Sequence, residues 1–124
     1  MSDTNLSGSR VLLVEDEGLI AMHMTDLLEE IGCSVVGPAA TVEEALSLLN
    51  GADVDAALLD VNLGDGATSY PVADALAAKA IPFAFLTGYG AVGLDQAYKD
   101  QPVLAKPVEE GPLIEAVSAL ILQA

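Results

Sequence analysis

The sequence predicts an α/β domain: a three-layer sandwich whose helices cover both faces of a five-stranded parallel sheet. Three observations lead there. Short apolar runs alternate with stretches of helical periodicity, the pattern of repeated βα units. The runs RVLLV, DAALLD and PFAFL are almost unbroken in apolar character, as strands buried on both faces must be. A chain of 124 residues, 52% apolar, fits a single domain able to bury a full core.

The elements follow in order. Residues 1–9, MSDTNLSGS, are polar and carry no basic or long apolar stretch, so they read as a disordered N-terminal tail before a domain at 10–124. Strands are expected near 10–14, 34–37, 55–60, 82–86 and 102–105. The first helix follows Asp16, with Ile20, Met24, Leu27, Leu28 and Ile31 at helical spacing and Gly32 as its stop. Between them lies His23, on the flank of the stripe. It reads as a packed or half-exposed structural histidine, with a phosphate-carrier role as the alternative. Cys33 is the only cysteine and reads as a small core residue. The second helix starts at Thr41, where TVEE makes a capping box with Glu44. The third starts around Ser69, with Pro71 in its first turn. The last runs over 109–122 and buries Leu113, Val117, Leu120 and Ile121.

The fourth helical segment is the weak one. GYGAVGLDQAYKD contains Gly88, Gly90 and Gly93, and each glycine inside a helix costs ~1 kcal/mol relative to alanine. The expectation is a helix that is short, late or mobile, or else a long ordered loop.

A parallel sheet of this size takes the flavodoxin-like order 2-1-3-4-5, with its ligand crevice outside the carboxyl ends of strands one and three. Glu15 and Asp16 follow the first strand, Asp60 closes the third, Thr87 follows the fourth and Lys106 follows the fifth. In that topology they meet at one edge. Two carboxylates about 5 Å apart repel by roughly 3 kcal/mol at an effective dielectric of 20. Three together call for a cation or a raised pKa. Magnesium suits the set, with Glu15, Asp16, Asp60 and the backbone carbonyl of Asn62 as candidate ligands. Asp60, at the floor of the crevice, is the candidate nucleophile toward phosphorus. Lys106 and Thr87 are placed to hold phosphoryl oxygens. Each residue alone also has a plainer reading: acids at a helix N-terminus, a turn aspartate, a turn threonine, a solvated lysine. Their joint placement on four strand ends favours the site.

Nineteen acidic residues against four basic ones give a formal net charge of -15, which opposes binding to nucleic-acid backbones. No apolar run reaches the ~20 residues of a membrane span, and a cytoplasmic location is the expectation.

The residues in hand resemble the receiver domain of bacterial two-component response regulators (CheY-like) over nearly the whole chain, from Arg10 to Ala124. VLLVEDE resembles the first strand and acidic pair, LLDVNL the phosphoacceptor strand, FLTG the switch threonine and AKP the lysine followed by proline. The resemblance implies magnesium on Glu15 and Asp16, phosphorylation of Asp60 by a sensor histidine kinase or histidine phosphotransfer protein, and Thr87 and Lys106 as phosphoryl-holding residues. It also implies a cis Lys106–Pro107 bond. Most receivers carry a tyrosine or phenylalanine three residues before the lysine. Val103 stands there, so the usual aromatic switch is absent, and Tyr89 is the candidate for a related part. PFAFLTGYG is similar to the PFxFATGYG signature of the FAT GUY subgroup of single-domain receivers, with Leu86 in place of its alanine. That subgroup is associated with alphaproteobacterial stress and signalling circuits.

No output domain is expected after the last helix, so output is expected through a protein partner, a relay or a phosphate sink. The glycine-rich segment, the fifth strand and the last helix, with Ile114 and Ile121 widening its apolar arc, form the candidate partner or homodimer face. Two other classes remain beside this reading. An aspartate-nucleophile phosphohydrolase shares the residue types but usually carries D-x-D on its first strand, where this chain has VEDE. A non-phosphorylated binding module would bind magnesium and take no label.

Overall fold

The computed structural model describes residues 6–64, 66–88 and 94–123. Among the described residues five strands and four helices follow in order: β1 (Arg10–Val14), α1 (Gly18–Glu30), β2 (Ser34–Ala39), α2 (Val42–Gly51), β3 (Ala56–Asp60), α3 (Tyr70–Ala78), β4 (Phe83–Thr87), β5 (Val103–Ala105) and α4 (Glu110–Gln123). A 3-10 turn, Gln96–Tyr98, lies between β4 and β5. All strand pairs are parallel, in the order β2-β1-β3-β4-β5. The sheet and its order agree with the sequence reading.

Alternation along the strands divides the core in two. Val11, Leu13, Ala56, Leu58, Ala84 and Leu86 face α1 and α4, where they meet Met24, Leu28, Leu113, Val117 and Leu120. Leu12, Val14, Ala57, Leu59, Phe83 and Phe85 face α2 and α3, where they meet Ala45, Leu49, Val72, Ala73 and Leu76. Burying each large side chain of these sets contributes about 1.5–3 kcal/mol. β3 and β4 are buried along their whole length, which is why their sequences contain no alternating polar residues.

The helix ends follow their local signals. Thr41 caps α2 by accepting a hydrogen bond from the Glu44 amide at 3.1 Å. The Glu44 carboxylate reaches back to the Ala40 amide at 2.8 Å, one residue before the cap. α1 closes in a Schellman motif: the Cys33 amide donates to the Leu28 carbonyl and the Gly32 amide to the Glu29 carbonyl. Gly32 has φ +98°, and a Cβ there would sit 3.2 Å from Ser7 Cα. The stop therefore needs glycine for its conformation and for the close approach of the N-terminal segment.

That approach moves the edge of the expected tail. Leu6 is buried in the α1/α4 core, the Gly8 amide donates to the Gly32 carbonyl and the Ser34 amide donates to the Ser9 carbonyl. Residues 6–9 are thus docked rather than free, because Leu6 gains burial beside Cys33. β2 is longer than expected and continues through Gly37–Pro38 to Ala39. An edge strand tolerates proline because its outer amides need no partner. The bonds Gly37–Pro38 and Lys106–Pro107 are both cis. His23 is exposed on α1. It borders an apolar groove of about 460 Å³ lined also by Leu19, Ile20, Met24, Leu86 and Pro107. Ile121 is half-buried and packs against the α1/α4 core, while Ile114 and Leu122 are exposed. Among the described residues no helix is long and apolar enough to cross a membrane.

Candidate functional site

Register builds the site. Val14 pairs with Leu59 across β1 and β3, so Glu15 arrives at the level of Asp60. Asp60 pairs with Leu86, one residue short of Thr87. Thr87 pairs with Ala105, and the Lys106 amide donates to the Thr87 carbonyl at 3.0 Å. Neighbouring parallel strands lie about 4.8 Å apart, so consecutive strand ends bring their next side chains into one crevice. The reading that gathers Glu15, Asp16, Asp60, Thr87 and Lys106 at one sheet edge agrees with this geometry.

Lys106 is the electrostatic centre. Its Nζ lies 3.0 Å from Glu15 Oε1 and 3.1 Å from Asp60 Oδ1. Glu15 is buried, and its Oε2 accepts from the Glu17 amide at 3.2 Å. Burial pushes the Glu15 carboxyl above the ordinary glutamate range. The Lys106 ammonium pulls the other way without overcoming it, and Asp60 adds to the rise. For Lys106, burial alone would lower the pKa, but the bonds to Glu15 and Asp60 outweigh it and the proton is held more tightly than on an ordinary lysine. Both shifts say that the site is partly dry and that its charges depend on one another.

One ammonium faces three carboxylates, and ligand atoms of Glu15, Asp16 and Asp60 all lie within 4.8 Å of one another. That surplus of negative oxygen at short spacing fits a hard divalent cation. Asp16, unlike Glu15, is exposed and lines the open cleft, a space of about 290 Å³ bounded also by Glu17, Asp60, Asn62, Thr87 and Lys106. The loop after β3 folds over this cleft. Asn62 bridges to Thr68 and the Ala67 amide donates to the Gly64 carbonyl. Gly64 has φ +82°, and a Cβ there would lie 3.1 Å from Asp16 Oδ2, so a side chain at this turn would crowd the acid.

Some site features were not anticipated. Glu17 stands at the cleft mouth, and its sequence signal was plain: it directly follows the acidic pair. Pairing of Lys106 with Glu15 as well as Asp60 had no sequence signal. Val103 is half-buried and packs against the α2/α3 core. Tyr89 lies outside the described residues.

Comparison with known proteins agrees with this arrangement. The response regulator receiver domain model matches residues 11–118. The phyllosphere-induced regulator PhyR of Methylorubrum extorquens is 33% identical over 120 residues, covering 94% of this chain and 43% of its own length. The transcriptional regulatory protein PdtaR of Mycobacterium tuberculosis is 32% identical over 118 residues, covering 90% and 56%. The chain thus spans about half the length of the curated relatives it matches. Among solved structures, SdrG of Sphingomonas melonis Fr1 superposes with a TM-score of 0.81 at 45% identity, covering 92% of this chain and 97% of that one. The BeF3-activated conformation of SdrG, from Pseudomonas melonis Fr1, gives 0.80 at 44%, covering 93% and 98%.

Proposed function

The chain belongs to the response regulator receiver family, and from that premise we propose that it takes a phosphoryl group on Asp60 from a phosphohistidine of a sensor histidine kinase or histidine phosphotransfer protein. One Asp60 carboxylate oxygen attacks phosphorus. The new O–P bond forms as the P–N bond to the donor imidazole breaks, and the electron pair stays on the imidazole nitrogen. The product is an aspartyl phosphate. The observation that carries this reading is the Asp60 carboxylate held 3.1 Å from Lys106 Nζ at the floor of a cleft that also contains Asp16 and Thr87.

The chain's own residues divide the work. Lys106 holds Asp60 in place before transfer and offers its ammonium to the phosphoryl group afterwards. Thr87, on the next strand, offers a hydroxyl to a phosphoryl oxygen. Glu15, Asp16, Asp60 and the Asn62 carbonyl would hold magnesium, which when bound supplies positive charge opposite the phosphoryl oxygens. The phosphorylated state then acts through a protein contact, or the chain passes the group on as a relay or sink, without turnover of an external substrate. Exposed Ile114 and Leu122 on α4 are the candidate contact or homodimer surface.

Incubation with magnesium and acetyl phosphate tests this. Intact mass should show one added phosphoryl group on the wild type and none on Asp60→Asn, and chelation of magnesium should return the wild type to background. Full labelling of Asp60→Asn, or an unlabelled wild type, refutes the assignment. Steady hydrolysis of free phosphate monoesters would point to a phosphohydrolase instead.

A further inference from the structure

On the α2/α3 side of the sheet four aromatic rings meet. Tyr70, the first residue of α3, stacks on Tyr98 of the 3-10 turn with centroids 4.5 Å apart and planes 7° from parallel. Phe85 of β4 meets both edge-on, at 5.9 Å and 5.8 Å. Phe83 meets Phe85 edge-on at 5.6 Å. The hydroxyls make the stack directional. The Tyr70 hydroxyl accepts from the Asp95 amide at 2.8 Å. The Tyr98 hydroxyl donates to the Asp74 carboxylate on α3.

These contacts join the two stretches of chain that frame the acceptor cleft. α3 begins where the loop after Asp60 ends, and the turn belongs to the stretch that follows Thr87. Val103, the register partner of Phe85, also packs against this core, so the ring at this margin of the sheet comes from the turn and not from β5. The helix is the fixed partner, because Val72, Ala73 and Leu76 are fully buried. The turn is the lighter one, with no buried residue of its own. A discrete contact between a fixed and a light element is the kind of two-state device a local event can bias.

We infer that Tyr70 and Tyr98 form a clasp that ties the turn after Thr87 to α3 and is released when Asp60 is phosphorylated. This rests on the acceptor role of Asp60. The phosphoryl group would draw Thr87 toward Asp60 from one end of the segment, while the clasp restrains the other end. Opposed in this way, the clasp sets a threshold for activation.

The test is a titration of magnesium-loaded protein with beryllofluoride, read by amide exchange over residues 94–101. Tyr98→Phe keeps the ring stack and removes the donor; Asp74→Asn keeps the shape and weakens the acceptor. Each should lower the half-saturating concentration about five-fold, the size expected for one hydrogen bond to a charged group near the surface. The double variant should do no more than either single one. Thermal unfolding of each variant checks that the fold is kept. Unchanged or raised half-saturation in both variants, or additive effects in the double, overturns the clasp while leaving the acceptor assignment standing. A wild type that does not respond to beryllofluoride overturns the acceptor assignment and the clasp with it.

Discussion

Beneath α1 and α4 the sheet presents only aliphatic side chains, among them Val11, Leu13, Leu58 and Leu86. Beneath α2 and α3 it presents Phe83 and Phe85 as well, with Tyr70 and Tyr98 at the margin. Aliphatic packing is non-directional and responds to volume. Tyrosines add geometry, because each ring must satisfy a hydroxyl as well as a surface. The aliphatic side therefore stabilises the fold, while the aromatic side can also report on where the chain after Thr87 lies. Both sides meet the cleft at Asp60 through the same strand ends.

The sharpest way to break this contrast is to remove the ring common to the whole aromatic set. Phe85→Ala should cost about 3–5 kcal/mol in denaturant unfolding, as buried phenylalanine truncations do, and should also shift the beryllofluoride midpoint. Leu28→Ala on the aliphatic side should cost about 2–5 kcal/mol and leave that midpoint unchanged in the folded protein. A midpoint shift in Leu28→Ala equal to that in Phe85→Ala would abolish the distinction between the two sides. Thr41→Ala, at the start of α2 and away from the rings, should cost about 1 kcal/mol from the lost cap bond, again without a change in midpoint.

The smallest expected effect is on pH dependence. The bond to Asp74 is the first cause that pushes the Tyr98 hydroxyl up to about 12, with desolvation second. An unfolded tyrosine titrates near 10, so the folded state retains a proton that the unfolded state has lost. The stabilisation is fully present below about pH 10 and disappears as pH rises toward about 12. Unfolding of wild type and Tyr98→Phe at stepped pH should show their difference shrinking across that window, and tyrosinate absorbance should lose its late step in the variant. A constant difference would assign the Tyr98 effect to packing alone.

Sheet order and the meeting of Asp60, Thr87 and Lys106 at one sheet edge were legible because their signals are local. Continuous apolar runs mark β3 and β4, and Asp60, Thr87 and Lys106 sit at or next to strand ends where parallel pairing leaves one arrangement. Thr41 and Gly32 were legible for the same reason: caps and stops are written within a few residues. The clasp was not. Its hydrogen bonds span 25 and 24 residues, and nothing in the local pattern of Tyr70 or Tyr98 distinguishes a paired ring from an ordinary packed one. Leu6 was hidden among polar neighbours, because one apolar residue carries no periodicity. The reading of the segment after Thr87 falls largely on residues 89–93, Gly90 and Gly93 among them, which lie outside the described residues. The described part that follows contains a 3-10 turn at Gln96–Tyr98.

The margins of the sheet have a bearing on solubility. β5 contributes three residues, and β2 carries Pro38, which lacks an amide to donate outward. A foreign strand needs a continuous ladder of free donors and acceptors in order to add itself. Neither border supplies one of useful length. A chain with so apolar an interior is thereby guarded against ribbon-like self-assembly, and its strong negative charge adds mutual repulsion between copies.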